Sequence, residues 1–445
     1  MTADFETLEF PRILERLQDL AASDAAKTAL GALSPYLGEE ICRRKMDETG
    51  AARRVLDACG SPPLAMMKGL EDALSQAKIG AMLAPDSLLS VARFAASCAR
   101  MTSYLRRTDV SGGGLSAYAA GFENLSELQS EIERCVGEEK VLDEASPQLR
   151  DARRKIARAE ERIKEKLNQI LQSRKQYLAG DYVTTRAGRY VLPVQRRYQS
   201  QFGGAVVDVS GKGATVFMEP AAIAGLQAEL SALSAQEDEE VRRVLYALSG
   251  LVAQQETALR RNIEWMTALD VLFAKAKLSA DMKARAVEIG GARKICIRQG
   301  RHPLLARETC VPLDFAMDEA TRGVIITGPN TGGKTIALKT VGLLTLMAQS
   351  GLHIPCEEGS YIAMQDGVYC DIGDSQSIEQ SLSTFSGHMT NAVRILEHAS
   401  PDSLVLLDEL GCGTDPAEGM GIAVSILEEL RLRGCQFLVT THYPQ

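Results

Sequence analysis

No two of the ten cysteines stand in a C-x-x-C pair, so the sequence carries neither zinc-ligand nor dithiol redox spacing, and the scattered thiols suit a reducing cytosol. No apolar run is long enough to span a bilayer. There is no signal-peptide core either, because the first residues, Met1-Thr2-Ala3-Asp4-Phe5-Glu6, are acidic. A cytoplasmic chain without membrane contact is expected. Positive charge is in deficit too. The formal net charge is −8, so contact with nucleic acid would need a local basic patch rather than the global field. What remains is an ordinary balance, 45% apolar and 24% charged over 445 residues, enough for about two to four units with their own cores.

The most specific stretch is Gly328-Pro329-Asn330-Thr331-Gly332-Gly333-Lys334-Thr335, which fits G-x-x-x-x-G-K-[ST] without mismatch. Gly323-Val324-Ile325-Ile326-Thr327 before it reads as a buried strand, and Ile336 to Leu344 after it as a helix. Backbone N–H groups of such a turn wrap a polyphosphate, and the helix N-terminus adds partial positive charge. Lys334 would reach the β and γ phosphates, and Thr335 would offer its hydroxyl to Mg²⁺. A turn that binds nothing has no need of strand, lysine and hydroxyl together.

Downstream, Ser403 to Glu409 reads as an apolar strand ending in two acids. In a P-loop fold Asp408 at this place holds Mg²⁺, and Glu409 is set to polarise the attacking water. The stretch from Gly411 to Pro416 is a tight loop. Phe437 to His442 is another buried strand, with His442 at the carboxyl end where open α/β sheets bind ligands, a place from which to sense a γ-phosphate. Ser383 reads as the N-cap of a helix through Met389 and Ile395, which is either an anion site or merely a cap.

Residues 1 to about 125 read as helical, with Phe10, Ile13, Leu14, Leu17 and Leu20 at helical spacing and Asp86 as N-cap for a helix over 87–100. Leu149, Ile156, Ile163 and Ile170 stand seven apart, one edge of a coiled-coil stripe. Residues 148–178 hold ten Lys/Arg against four Asp/Glu, a basic arm in an acidic protein. A second helical run covers about 221–282. Between the two lie two hairpin patterns, 182–194 and 205–218. The geometry is an antiparallel arm with a β tip, about 45 Å long at ~1.5 Å per residue. Arg186, Arg189, Arg196, Arg197 and Lys212 fall on the tip, either to meet a phosphate backbone or as a solvated face.

Arg301-His302-Pro303, the loop at 328–335, Ser383-Thr384-Phe385, Asp408-Glu409-Leu410-Gly411-x-Gly413-Thr414 and Thr440-Thr441-His442-Tyr443 together resemble the MutS family of ATPases, within the ABC-type class. Tyr190-Val191-Leu192-Pro193-Val194, Val207-Asp208-Val209-Ser210 and Thr215 to Pro220 are similar to its second bacterial branch. The resemblance implies ATP and Mg²⁺ as cofactors. It also implies a homodimer in which Ser383 acts in trans on the partner's ATP. His302 and Val311-Pro312-Leu313 fall where adenine contacts are suspected. Members of that branch are implicated in suppressing homologous recombination on branched DNA and in splitting collided ribosomes through rRNA. Mismatch reading is not expected, since about 290 residues precede the ATPase and leave no room for a reader module. The branch usually ends in an Smr nuclease domain, and this chain is expected to stop before it.

The expected fold is mixed. An all-α N-terminal lever region covers 1–145, an outgoing coiled-coil arm 146–180, a small β tip 181–220, a returning helical arm 221–290, and an α/β P-loop ABC-type ATPase domain 291–445.

Overall fold

The computed structural model describes residues 2–64, 67–108, 115–138, 140–328, 332–373 and 381–441, with the side chains of 2 and 381–384 excepted. The chain forms two compact units, neither contiguous in sequence. One gathers Met1–Lys68, Ser97–Glu123 and Arg260–Gln445; the other gathers Gly69–Ala96 and Asn124–Leu259.

The first unit is built on a parallel five-stranded sheet. Its order is Thr2–Ala3, Gly367–Asp371, Ser403–Leu407, Gln436–Thr441 and Gly323–Thr327. Ser403–Leu407 is buried at every position, as a continuous apolar run in a parallel sheet should be. The helix Lys334–Gln349 follows the P-loop strand and is buried almost all round, from Leu338 to Gln349. A mixed four-stranded sheet joins Glu288–Gly290, Tyr361–Ala363, Ile295–Gly300 and Leu313–Met317. One apolar cluster connects Phe10, Ile13 and Leu17 of the first helix with Leu343, Leu346, Val368 and Leu406.

Two expectations for the N-terminal region need correction. It is not all helical, because Thr2–Ala3 pair with Gly367–Val368 and cover a sheet edge that would otherwise leave backbone groups unpaired. The helix expected over 87–100 runs from Pro85 to Thr108, and Asp86 lies in its first turn rather than capping it. Proline has no N–H to lose at that position.

The second unit holds the helices Pro147–Ser173 and Ala224–Gln254. Ser146 meets Glu240, Arg153 meets Glu237 and Arg162 meets Glu229, so one numbering falls as the other rises and the pair is antiparallel. Leu149, Ala152, Ala159, Ile163, Leu167 and Leu171 are buried, whereas Ile156 and Ile170 are only half-buried. A strict seven-residue stripe drifts about 20° per heptad around a straight helix, and the seam moves onto the following residues. The returning run is two helices, Ala224–Gln254 and Glu256–Asp281, interrupted at Gln255. The antiparallel tip sheet is ordered Thr184–Arg186, Arg189–Gln195, Thr215–Pro220 and Gly204–Val209, both hairpins as the patterns indicated. Ala187 and Gly188 both carry positive φ, 49° and 73°, as a two-residue turn matched to strand twist requires.

Among the described residues no helix is long and apolar enough to cross a membrane. All ten cysteines are free, and burial pushes the thiols of Cys98 and Cys370 up to about 12.

Ile163 is fully buried in the cluster that joins the helix pair to Phe202, Val194 and Val216. Ile163→Ala is expected to lower the unfolding free energy by about 2–5 kcal/mol. Chemical denaturation checks this, and a loss below about 1 kcal/mol would show that the seam is not sealed there.

Candidate nucleotide-binding site

The P-loop strand delivers Gly328 at φ 149°, and the helix begins after Gly333 at φ 76°. L side chains rarely adopt either conformation, which explains glycine at both. Pro329, Asn330 and Thr331 lie outside the described residues; Gly332 leads into the helix. Lys334 opens that helix with 6% exposure, and its ammonium is folded back across the loop onto the Gly328 carbonyl.

Thr335 Oγ1 donates to Asp408 Oδ2 at 2.6 Å, linking the helix start to the carboxyl end of Ser403–Leu407. Asp408 is 8% exposed, its Oδ1 takes the Thr440 hydroxyl, and its N–H donates to the Asp371 carbonyl at 2.8 Å. Glu409 has φ 49°, a left-handed conformation that costs about 1–2 kcal/mol for a residue with a Cβ. Its N–H donates to Thr440 Oγ1 at 2.8 Å, and the N–H of Leu410 to the Thr440 carbonyl at 3.1 Å. Thr440 therefore clasps both acids from the neighbouring strand. The Thr335 hydroxyl and one carboxylate are the hard oxygen donors that suit Mg²⁺, which takes few protein ligands and completes its shell with phosphate and water. Asp408 and Thr335 would hold it.

The helix expected to open at Ser383 runs from Ser381 to His398, so Ser383 sits in its first turn rather than at the cap. Its side chain and all of His442 lie outside the described residues. Phe385 lies against the Gly411–Thr414 loop of its own chain, where a Cβ on Gly413 would come within 3.5 Å of the Phe385 Cβ. His302 is buried and accepts the Leu304 N–H, while Val311 is 85% exposed.

The sequence reading passed over Asp371, His388 and Asn391. His388 Nδ1 meets Asp371 Oδ2 at 2.8 Å, and Asn391 Nδ2 donates to Asp371 Oδ1 at 2.9 Å. The available signal was a strand ending in an acid, the same one that marks Asp408.

In the second unit the five tip cations are all exposed, but they are not alike. Arg186 pairs with Asp208 at 3.3 Å and lies 4.7 Å over the Phe217 ring. Arg189 pairs with Glu219 at 2.9 Å. Arg196 donates to the Gly213 carbonyl, Arg197 lies 4.7 Å over Tyr198, and Lys212 projects from the second hairpin turn. On the arm, Arg153 pairs with Asp143 and Glu237, and Arg154 and Lys155 with Asp151, which removes part of the basic excess.

A glycine-turned loop, a helix-borne lysine and a hydroxyl–carboxylate pair at the carboxyl edge of a parallel sheet are the arrangement of P-loop nucleoside-triphosphate-binding proteins. Residues 324–445 match the family model of MutS domain V. The chain is 42% identical to the Endonuclease MutS2 of Brevibacillus brevis over 445 residues, 99% of this chain and 57% of that protein. It is 40% identical to the Endonuclease MutS2 of Acetivibrio thermocellus, over 98% of this chain and 56% of that one. The chain belongs to the MutS family, in its MutS2 branch. It spans a little over half the length of these relatives.

His388 is raised from the usual imidazole value of 6.5, chiefly by its hydrogen bond to Asp371, against the effect of burial, with the charges of Asp371, Glu409 and Asp408 adding to it. The stability this pair contributes is complete below the unfolded value and is lost as pH rises through the raised folded value. In an NMR titration His388 is expected to titrate above 6.5, and Asp371→Asn to bring it down. A His388 that titrates at or below 6.5 in the unaltered protein would contradict the pairing.

Proposed function

We propose that this chain carries the ATP site of a MutS2-type protein that binds MgATP, hydrolyses it, and uses the cycle to open and close a basic arm on branched or duplex DNA, so suppressing homologous recombination. The observation that carries the reading is the Thr335–Asp408–Thr440–Glu409 constellation at the sheet's carboxyl edge. The P-loop backbone and Lys334 bind the phosphates. Asp408 and Thr335 would hold Mg²⁺, which would supply charge neutralisation to the phosphates. Glu409 takes a proton from water as the water oxygen bonds to the γ-phosphorus and the bond to the β–γ bridging oxygen breaks, giving ADP and inorganic phosphate. His442 senses the γ-phosphate. Ser383 acts in trans across a homodimer, so that each ATP is held by two subunits. The endonuclease activity named for the relatives belongs, in this reading, to the part of them that this chain does not span.

On the tip, Arg196, Arg197 and Lys212 have no acidic partner among the described contacts, unlike Arg186 and Arg189. This difference supports the reading that those three carry the phosphate-binding charge.

In the whole protein Lys334→Ala is expected to abolish ATP binding. Glu409→Gln is expected to bind ATP but to turn it over about 10²–10⁴-fold more slowly. Wild-type turnover in Glu409→Gln would refute it as the base. Mixed dimers of Ser383→Ala and Lys334→Ala subunits are expected to recover one working site, and no recovery would count against action in trans.

Replacing Arg196, Arg197 and Lys212 with alanine is expected to weaken four-way-junction binding and to flatten its salt dependence by a slope of about 2–3. Tight binding to collided ribosomes, with no preference for junction over duplex DNA, would replace the DNA reading with ribosome splitting through rRNA.

A further inference from the structure

The helix Ser381–His398 meets the sheet through two different faces. One face is apolar, with Ala392 and Ile395 in a cluster with Val405, Leu407 and Val439. The other is a row of polar side chains one turn apart, His388, Asn391 and Arg394. His388 and Asn391 converge on the two carboxylate oxygens of Asp371 at 2.8 and 2.9 Å. Asn391 Nδ2 also donates to the Cys370 carbonyl at 3.1 Å. Arg394 Nε donates to Asn391 Oδ1 at 2.9 Å, and its Nη2 reaches Asp4 at 2.9 and 3.1 Å. Asp4 in turn accepts the Cys370 N–H at 2.7 Å. The row continues into the acidic strand end, because the Asp371 carbonyl accepts the Asp408 N–H at 2.8 Å.

An apolar contact is non-directional and tolerates sliding, whereas hydrogen bonds fix register. The Asp371 side chain is 12% exposed, and a carboxylate in such a place costs desolvation that an apolar residue of similar size would avoid. Cohesion alone does not account for it. What it does supply is a rigid coupling between the helix that bears Ser383, Thr384 and Phe385 and the strand end that bears Asp408 and Glu409.

We propose that Asp371 is a positioning residue of the ATP site. Its carboxylate locks the helix of Ser383 in register through His388 and Asn391, its carbonyl holds the backbone of Asp408, and the N-terminal segment at Asp4 braces the lock through Arg394. This rests on the ATPase reading above. The N-terminal strand thereby becomes part of the catalytic frame. Displacing the helix misplaces the reacting groups and leaves the phosphate grip of Lys334 intact, so the defect falls on kcat and not on ATP affinity.

The test measures, in the whole protein, ATP affinity with a fluorescent ATP analogue, steady-state hydrolysis, and thermal midpoint. Asp371→Leu is expected to lower kcat by about ten- to a hundredfold while leaving the analogue's affinity unchanged. Asp371→Asn, which offers one acceptor to Asn391 and one donor to His388, is expected to restore most of the rate. Unchanged kcat in Asp371→Leu overturns the proposal. Should Asp371→Leu fail to fold, Asn391→Leu decides: lowered kcat at unchanged affinity supports positioning, and unchanged kcat, or loss of rate and affinity together, overturns it. Lys334→Ala and Glu409→Gln separate the two levels. If both hydrolyse ATP normally, the ATPase reading fails; if both are dead while Asp371→Leu and Asn391→Leu turn over normally, only the positioning role fails.

Discussion

The structure turns on one hydrogen bond, from the Thr335 hydroxyl to the Asp408 carboxylate, 2.6 Å long. It joins the two ends of chemistry that are far apart in sequence, the start of a helix and the end of a strand. Everything around it keeps those ends at that separation. Leu407 pairs with Val439, which puts Thr440 beside Asp408, and Asp371 pairs with Leu407, which puts its carbonyl under the Asp408 N–H. A slip of one residue in either pairing would turn every side chain to the opposite face. Buried apolar strands resist that slip, and so the sheet's core is what gives the site its geometry.

The glycine turn before Lys334 and the acid-ended strand at Asp408 were legible in the sequence because each depends on particular residues at fixed spacing. Gly328 and Gly333 need positive φ, Lys334 must open the helix, and Asp408 must end an apolar strand. The tip hairpins were legible for a similar local reason. Asp371 was not, since its partners His388 and Asn391 meet it only through the placement of a helix on a sheet. Thr440 read as one more strand residue, and its clasp on both acids depends on register with its neighbour. The N-terminal strand was hidden for a third reason. It is only two residues long, and Asp4 finds Cys370 at a separation of 366 positions. No local pattern reports such a pairing.

The tip shows why counting charges says little. Five cations were visible, yet Arg186 and Arg189 are held by Asp208 and Glu219. Pairing of this kind leaves an arginine exposed while lowering the field it projects. Of the ten cations on the outgoing arm, Arg153, Arg154 and Lys155 are similarly answered by Asp143, Asp151 and Glu237. What an exposed basic surface offers a polyphosphate depends on which carboxylates already answer it.

The two-residue strand Thr2–Ala3 also has a temporal consequence. During synthesis this segment emerges well before its partner Gly367–Val368. The second unit, which ends at Leu259, has all its residues well before then and can close on its own as domains do during synthesis. Phe10, Ile13 and Leu17 must meanwhile wait uncovered for Leu343 and Leu346. The apolar face of Phe10–Leu20 thus stays exposed until that later stretch of chain has emerged, an exposure that a partner nearby in sequence would have spared it.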